Sequence, residues 1–321
     1  FNLNARFDGA DIIGTDNRFT PLWSASFRWN AMRENFLKDV NFISDLAIRL
    51  SYGYTGNIDR SSYPIPMIFL SGYRYDENFV AESVTFPNPN IKWERKQDRN
   101  FGLDFGFWDN RIGGSFNYYW NTGKDLLGTM TTPESYGRTS IKANVSSIEN
   151  TGWEFNVNLR LDLGANVRWI NSFNIAQNTN KIKKTYLKDL NELNVMGGSD
   201  NIEGYASGSM FGYRFAGVNP LTGQAMIYLT DESRKILADY RGVDISQVAD
   251  KIDTEEIDYN IREELLRASM EKLGSVTPKV TGGFSSTLTW KKLEVRASFA
   301  YSAGHLLETF NERKYAPSGA N

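Results

Sequence analysis

Cysteine is absent from the 321-residue sequence, and histidine occurs once, as His305. Without thiols there is no disulfide framework, no thiolate metal site and no cysteine nucleophile. A single histidine argues against a His-rich metal centre and a Ser/His/Asp triad. No stretch approaches the ~18 consecutive apolar residues that a membrane-crossing helix requires. Neither charge is in excess: 36 Lys and Arg stand against 38 Asp and Glu, and a net charge of −2 supplies no basic face for nucleic acid. No Gly-rich strand-to-helix turn suits a phosphate, and no carboxylate pair is spaced as a catalytic one. The reading is therefore of a non-enzyme without metal or cofactor. What the chain does have is rings: 8 Trp, 16 Tyr and 20 Phe, which with 27 Gly point to many strands and turns.

Period-two alternation runs through nine segments. Their apolar faces are Phe1–Phe7, Trp23–Trp29, Leu46–Tyr54, Phe101–Phe107, Ile112–Trp120, Trp153–Leu161, Val167–Ile175, Phe284–Trp290 and Leu293–Tyr301, each read at every second residue. None of those positions is charged. The opposite faces carry Arg6, Asp8, Arg28, Arg49, Asp104, Glu154, Arg160, Arg168, Glu294 and Arg296. A soluble sandwich also alternates, because one face of each sheet packs inward. A lipid-facing barrel adds a penalty of roughly 2–4 kcal/mol for Lys or Arg at the bilayer midplane, which empties the outer face of charge and leaves the inner face polar.

The connections separate the two folds. Tight links follow the fourth, sixth and eighth segments, whereas long ones follow the third, fifth and seventh. Alternate links of an antiparallel sheet fall at opposite ends, so all the long links share one end. Long loops on one side and tight turns on the other mark an outer-membrane barrel. Trp29, Trp108, Trp120, Trp153, Trp169 and Trp290 sit near segment ends, where an interfacial girdle would place them. The expected fold is all-β: part of a transmembrane antiparallel β-barrel with long extracellular loops. Open edges are not tolerated in hydrocarbon and single-chain bacterial barrels have even strand numbers, so nine strands imply an internal piece of a larger barrel.

Several blocks resemble the carboxy-terminal barrel of the SusC/RagA family of TonB-linked outer-membrane transporters. They are RFDGADIIGTDNRFTPLWSASFRW from Arg6, LAIRLSYGYTGN from Leu46, and NPNIKWERKQDRNFGLDFGFWDNRIGGSFNYYWNTGKDLL from Asn88. SSIENTGWEFNVNLRL from Ser146, FGYRFAGVNPLTGQAMIY from Phe211 and GSVTPKVTGGFSSTLTWKKLEVRASFAYSAGH from Gly274 complete the set. They occur in the family's order and cover most of the chain. The resemblance implies a 22-stranded barrel closed by an amino-terminal plug and set in the bacterial outer membrane. It also implies a SusD-like surface lipoprotein lid, a dimer of such complexes, and energy delivered by TonB to a plug that this segment does not contain. The expected function is import of a large nutrient, a glycan or a peptide. A siderophore or cobalamin receptor and a secreted β-rich glycan-binding module are the competing readings.

Two loops hold the candidate contact residues. In the link from Gly56 to Lys92, Tyr63, Phe69, Tyr73, Arg74, Tyr75 and Phe79 are suited either to stacking on a sugar or peptide or to packing the loop on itself. The segment 230–274 departs from the family's usual linker and is read as a helical extracellular insertion. Thr254 is its expected cap, Glu255 and Glu256 its first turn, Ile257, Ile261, Leu265 and Ala268 its apolar stripe, and Gly274 its stop. Glu263 and Arg267 are its candidate contacts with the lipoprotein lid. Asp8, Asp11 and Asp16 with Gly9 and Gly14 do not have the spacing of a calcium loop, so no metal is assigned.

Overall fold

In the computed structural model, residues 1–13, 17–37, 39–59, 67–85, 88–136, 140–164, 166–185 and 201–307 are described. All nine alternating segments become strands of a single antiparallel sheet. Along the chain they are β1 (Asn2–Gly9), β2 (Phe19–Asn30) and β3 (Ile43–Asn57), then a separate hairpin of β4 (Met67–Tyr75) and β5 (Asn78–Thr85). The sheet resumes with β6 (Glu94–Phe107), β7 (Ile112–Thr131), β8 (Ser140–Asp162) and β9 (Val167–Lys184). Five short strands follow: β10 (Ser209–Gly212), β11 (Phe215–Val218), β12 (Ala225–Tyr228), β13 (Lys251–Asp253) and β14 (Glu271–Ser275). The sheet ends with β15 (Val280–Trp290) and β16 (Leu293–Ala303), giving the order β1-β2-β3-β6-β7-β8-β9-β15-β16. Each strand of this meander lies beside its predecessor in the wall.

Register carries the alternation coherently from strand to strand. Trp29, Ile48, Leu103, Phe116, Phe155 and Ile175 face one another in a single row across six strands. The adjacent row reads Arg28, Arg49, Gly102, Asn117, Glu154 and Ala176. A slip of one residue at any strand would exchange these faces, so the pattern fixes the register. The apolar face remains open: Phe27 is 47%, Leu50 48% and Phe299 65% exposed. A sandwich would cover such a face with a second sheet, whereas a barrel wall offers it to lipid. That decides against the sandwich.

The tight turns fit their positions. Trp108, Asp109 and Asn110 all have positive φ, at 50°, 56° and 58°, a left-handed path that Asn and Asp tolerate better than most residues. Lys291, at φ 53°, reverses the chain between β15 and β16. At the other end, the link expected between Trp120 and Trp153 is mostly strand. β7 continues to Thr131 and β8 begins at Ser140. Alternation fades there because Gly123, Gly128 and polar residues occupy both faces, which need not differ once both meet water.

The chain divides into two compact units. The first comprises residues 1–188, 202–205 and 279–303; the second comprises 189–201, 206–278 and 304–321. Within the second unit, helix α1 (Asp231–Arg241) and helix α2 (Tyr259–Ser269) accompany the β11-β12-β13 sheet. Ile227, Leu229, Leu237, Ala238, Val248, Ile252, Ile257, Ile261, Leu265 and Leu266 form its buried core. The compact unit is thus wider than the expected 230–274 insertion and contains strands as well as helices.

The expected helix is present but starts later. Asp258, not Thr254, caps α2, its side chain accepting the Asn260 N–H at 2.9 Å. Asp253 accepts the Glu255 N–H at 2.9 Å, which holds Thr254–Glu256 in a turn ahead of the helix. Gly274 is not the stop; it lies in β14, and Met270 ends α2 with extended backbone. The helix that the apolar spacing did not disclose is α1, capped by Thr230 and closed by Gly242 at φ 65°.

Candidate functional site

The polar face of the wall is built from side chains far apart in sequence. Arg49 on β3 donates from Nε and Nη2 to the two carboxylate oxygens of Asp104 on β6, at 2.9 and 2.7 Å. Its Nη2 also donates to Asn117 Oδ1 on β7 at 3.0 Å, and Arg28 on β2 approaches the same Asp104 at 3.1 Å. Gly102 makes room for this cluster. A Cβ there would stand 2.9 Å from the Arg49 guanidinium carbon and 3.1 Å from Asn117 Oδ1. The face continues through Asn156 to Ser115 at 2.7 Å, Ser172 to Asn158 at 2.7 Å, and Tyr119 to Asn178 at 3.1 Å. These pairs join neighbouring strands across a hydrophilic surface.

At the long-link end of the sheet, Ile13, Ile91 and Trp93 form a small core with Ile12, Ile58 and Leu127 against it. Trp93 Nε1 donates to the Arg18 carbonyl at 3.1 Å, tying the β1–β2 link to the residue before β6. This anchors the stem of the loop that carries the β4–β5 hairpin.

That hairpin presents the expected loop candidates. Asp76 and Glu77 turn it with φ 50° and 61°, the doubly left-handed geometry that matches the twist of two antiparallel strands. Arg74 faces Phe79 across the strands, its guanidinium carbon 4.7 Å from the ring centroid. Tyr73 and Tyr75 share the other face of β4 and are 83% and 80% exposed; Phe79 is 61% exposed. The structure brings Arg74 and Phe79 together and sets Tyr73 and Tyr75 side by side. Tyr63 lies outside the described residues.

In the second unit, Glu263 and Arg267 lie one turn apart on the exposed face of α2, opposite the buried Ile261, Leu265 and Leu266. The charged anchor of this unit is Asp253, only 2% exposed. Thr222 donates its hydroxyl at 2.6 Å, the Glu255 N–H donates at 2.9 Å and Asn219 Nδ2 donates at 2.8 Å. Those bonds, Thr222 first, hold the Asp253 carboxyl below the usual range. Spacing did not single out this residue, because its two side-chain donors lie 31 and 34 positions upstream.

Of the acidic residues near the chain start, Asp8 pairs with Arg6 at 3.1 Å and Asp11 with Arg18 at 3.7 Å, while Asp16 lies outside the described residues. Among the described residues no group of three His, Cys, Asp or Glu could hold a metal.

Comparison with known proteins meets this geometry. Residues 1–235 match the family model described as TonB dependent receptor-like, beta-barrel. TonB-dependent receptor P3 of Formosa agariphila is 30% identical over 338 residues, covering 100% of this chain and 32% of that protein. TonB-dependent receptor SusC of Bacteroides thetaiotaomicron is 34% identical over 192 residues, covering 57% of this chain and 19% of that protein. Among solved structures, the RagAB peptide importer in its closed-closed state superposes with a TM-score of 0.77 at 26% identity, covering 94% of this chain and 31% of that one. The chain thus spans about a third or less of the proteins it matches. With its nine-strand wall, one face charge-free through its apolar belt and the other polar, this chain belongs to the TonB-dependent receptor β-barrel family, in its SusC/RagA-like branch.

Proposed function

We propose that this chain is the wall and mouth of a TonB-dependent importer that carries a large nutrient, an oligosaccharide or a peptide, across the bacterial outer membrane. The observation that carries this reading is the nine-strand meander whose apolar belt is free of charge while its opposite face is polar and bridged by hydrogen bonds between strands. A lipid-facing outside and a hydrophilic lining follow from it. Energy comes from TonB acting on a plug outside this segment. The likeness to SusC and to RagAB supports a SusD-like surface lipoprotein as partner and a dimer of such complexes. Contact with the nutrient falls to exposed loop side chains, Tyr73, Arg74, Tyr75 and Phe79, because aromatic faces stack on sugar rings and planar peptide groups. Glu263 and Arg267 on α2 are the proposed contacts with the lipoprotein.

The test uses the whole receptor in its native host. It is expected in the outer-membrane fraction, and deleting it should abolish uptake of either labelled oligosaccharides or labelled peptides from its growth medium. Loss of TonB should have the same effect. A receptor recovered in the aqueous fraction, or uptake of both classes unchanged by its deletion, would overturn the proposal. Replacing Tyr73 and Tyr75 together with Ala should weaken uptake about tenfold or more, from ~1–1.5 kcal/mol per lost aromatic contact. Cross-linking from Glu263 should capture the lipoprotein in the intact complex; no adduct would remove α2 as its contact.

A further inference from the structure

The outward face of the wall is charge-free through its apolar belt, and its first charge toward the long links on β6 is Arg99. This residue faces Tyr52 of β3, which in turn faces Ala25 of β2. One pleat nearer the membrane centre runs an apolar row of Phe27, Leu50, Phe101 and Tyr118. Between the rows opens a groove of about 490 Å³, lined chiefly by Ala25, Phe27, Leu50, Phe101, Tyr118 and Trp120, with Arg99 at its polar margin. The small Ala25 side chain leaves the space that its larger neighbours define.

The cation is held by rings, unlike the paired arginines of the same wall. Arg28 and Arg49 share Asp104, and Arg95 has Asp125 at 2.8 Å. Arg99 has rings instead: its guanidinium carbon lies 4.6 Å from the Trp120 centroid and 6.0 Å from that of Tyr52. No carboxylate pairs with it among the described residues. Lys124, which faces Arg95 further up the same side, also lacks an ion pair among them. Stacking orients a guanidinium without neutralising it, so its in-plane N–H donors remain available to an anion. Arg99 is five residues from the start of β6 at the long-link end, the depth at which an apolar face meets headgroups. A positive margin over an apolar trough is complementary to a molecule with an anionic head and a hydrocarbon tail.

We propose that this groove binds one phosphate-bearing lipid of the outer leaflet, its phosphate on Arg99 and an acyl chain along Phe27, Leu50 and Phe101. The inference rests on the reading that this face lies in lipid. The test uses the whole receptor in detergent, with diphosphorylated lipid A, its dephosphorylated form and inorganic phosphate as probes, read by native mass spectrometry. Wild type should retain the phosphorylated lipid, and Arg99→Gln should lower its retention about tenfold, as expected for loss of charge-assisted hydrogen bonds. Leu50→Trp fills the trough without touching the cation and should also lower retention. Both variants should keep the heat-modifiable migration of a folded barrel. Equal retention of the dephosphorylated lipid, or undiminished binding by Arg99→Gln, overturns the proposal. Displacement of the lipid by millimolar inorganic phosphate would show a free-anion site and overturn it as well. Insertion of the wild type into vesicles is scored separately: failure there sinks the membrane reading itself, whereas insertion with an indifferent Arg99→Gln sinks only the lipid site.

Discussion

Phe284 and Ser285 are neighbours on β15 with opposite fates. Phe284 faces Phe173 and Phe299, whereas Ser285 faces Ser172 and Ser298. Phe284 lies six residues from Trp290, which marks the tight-turn end of the strand. At ~3.3 Å per residue and a strand tilt of ~40°, that places it ~15 Å into an apolar band ~25 Å tall, close to the midplane. Phe284→Lys should therefore cost about 2–4 kcal/mol, a 30- to 1,000-fold shift toward the unfolded receptor. Ser285→Lys, at the same depth on the polar face, should cost about 0.5 kcal/mol, because its ammonium remains hydrated. Urea titration of the whole receptor refolded into zwitterionic vesicles, followed by tryptophan fluorescence, reads both values. The midpoints should differ while the slopes stay equal. If the two substitutions destabilise equally, or if Ser285→Lys is the worse, the assignment of faces is wrong.

Other consequences can be measured on the same receptor. Arg49→Met removes both bonds to Asp104 and the bond to Asn117; partial exposure reduces the expected loss to about 1–2 kcal/mol in the same titration. Thr230→Ala deletes the cap of α1 and the 2.7 Å bond to the Ala268 carbonyl that ties α1 to α2. A loss of ~1 kcal/mol should appear as faster limited proteolysis of the 206–278 unit. Asp253 has a folded-state pKa below its unfolded value, so its stabilisation is complete above the unfolded range near ~4 and is lost as pH falls through the folded value. Proteolysis of that unit should accelerate on acidification below that range, and Asp253→Asn should flatten the dependence. An identical acid profile in the variant would place the sensitivity elsewhere. Leu265→Ala, at a fully buried position in the same core, should cost about 2–5 kcal/mol and expose the unit to protease at neutral pH.

The sequence by itself determined the wall. A period of two reads directly as two faces, and a charge-free face over nine segments records a solvent that rejects charge. The asymmetry of link lengths oriented the strands, and the motif blocks identified the family. Positions beyond the apolar belt were less legible, since β7 past Trp120 carries glycine and polar residues on both faces and loses the contrast that alternation needs. Helix α1 had its signals in Thr230, Asp231 and Gly242, but its three-turn stripe was too short to stand out. Only the tertiary structure joined Arg49 to Asp104 across 55 residues, gathered Thr222 and Asn219 onto Asp253, and set Arg99 between Trp120 and Tyr52. Those contacts depend on register between strands and on how a loop folds back. Such distances are set by many weak pairings at once, and no local stretch of chain encodes them alone.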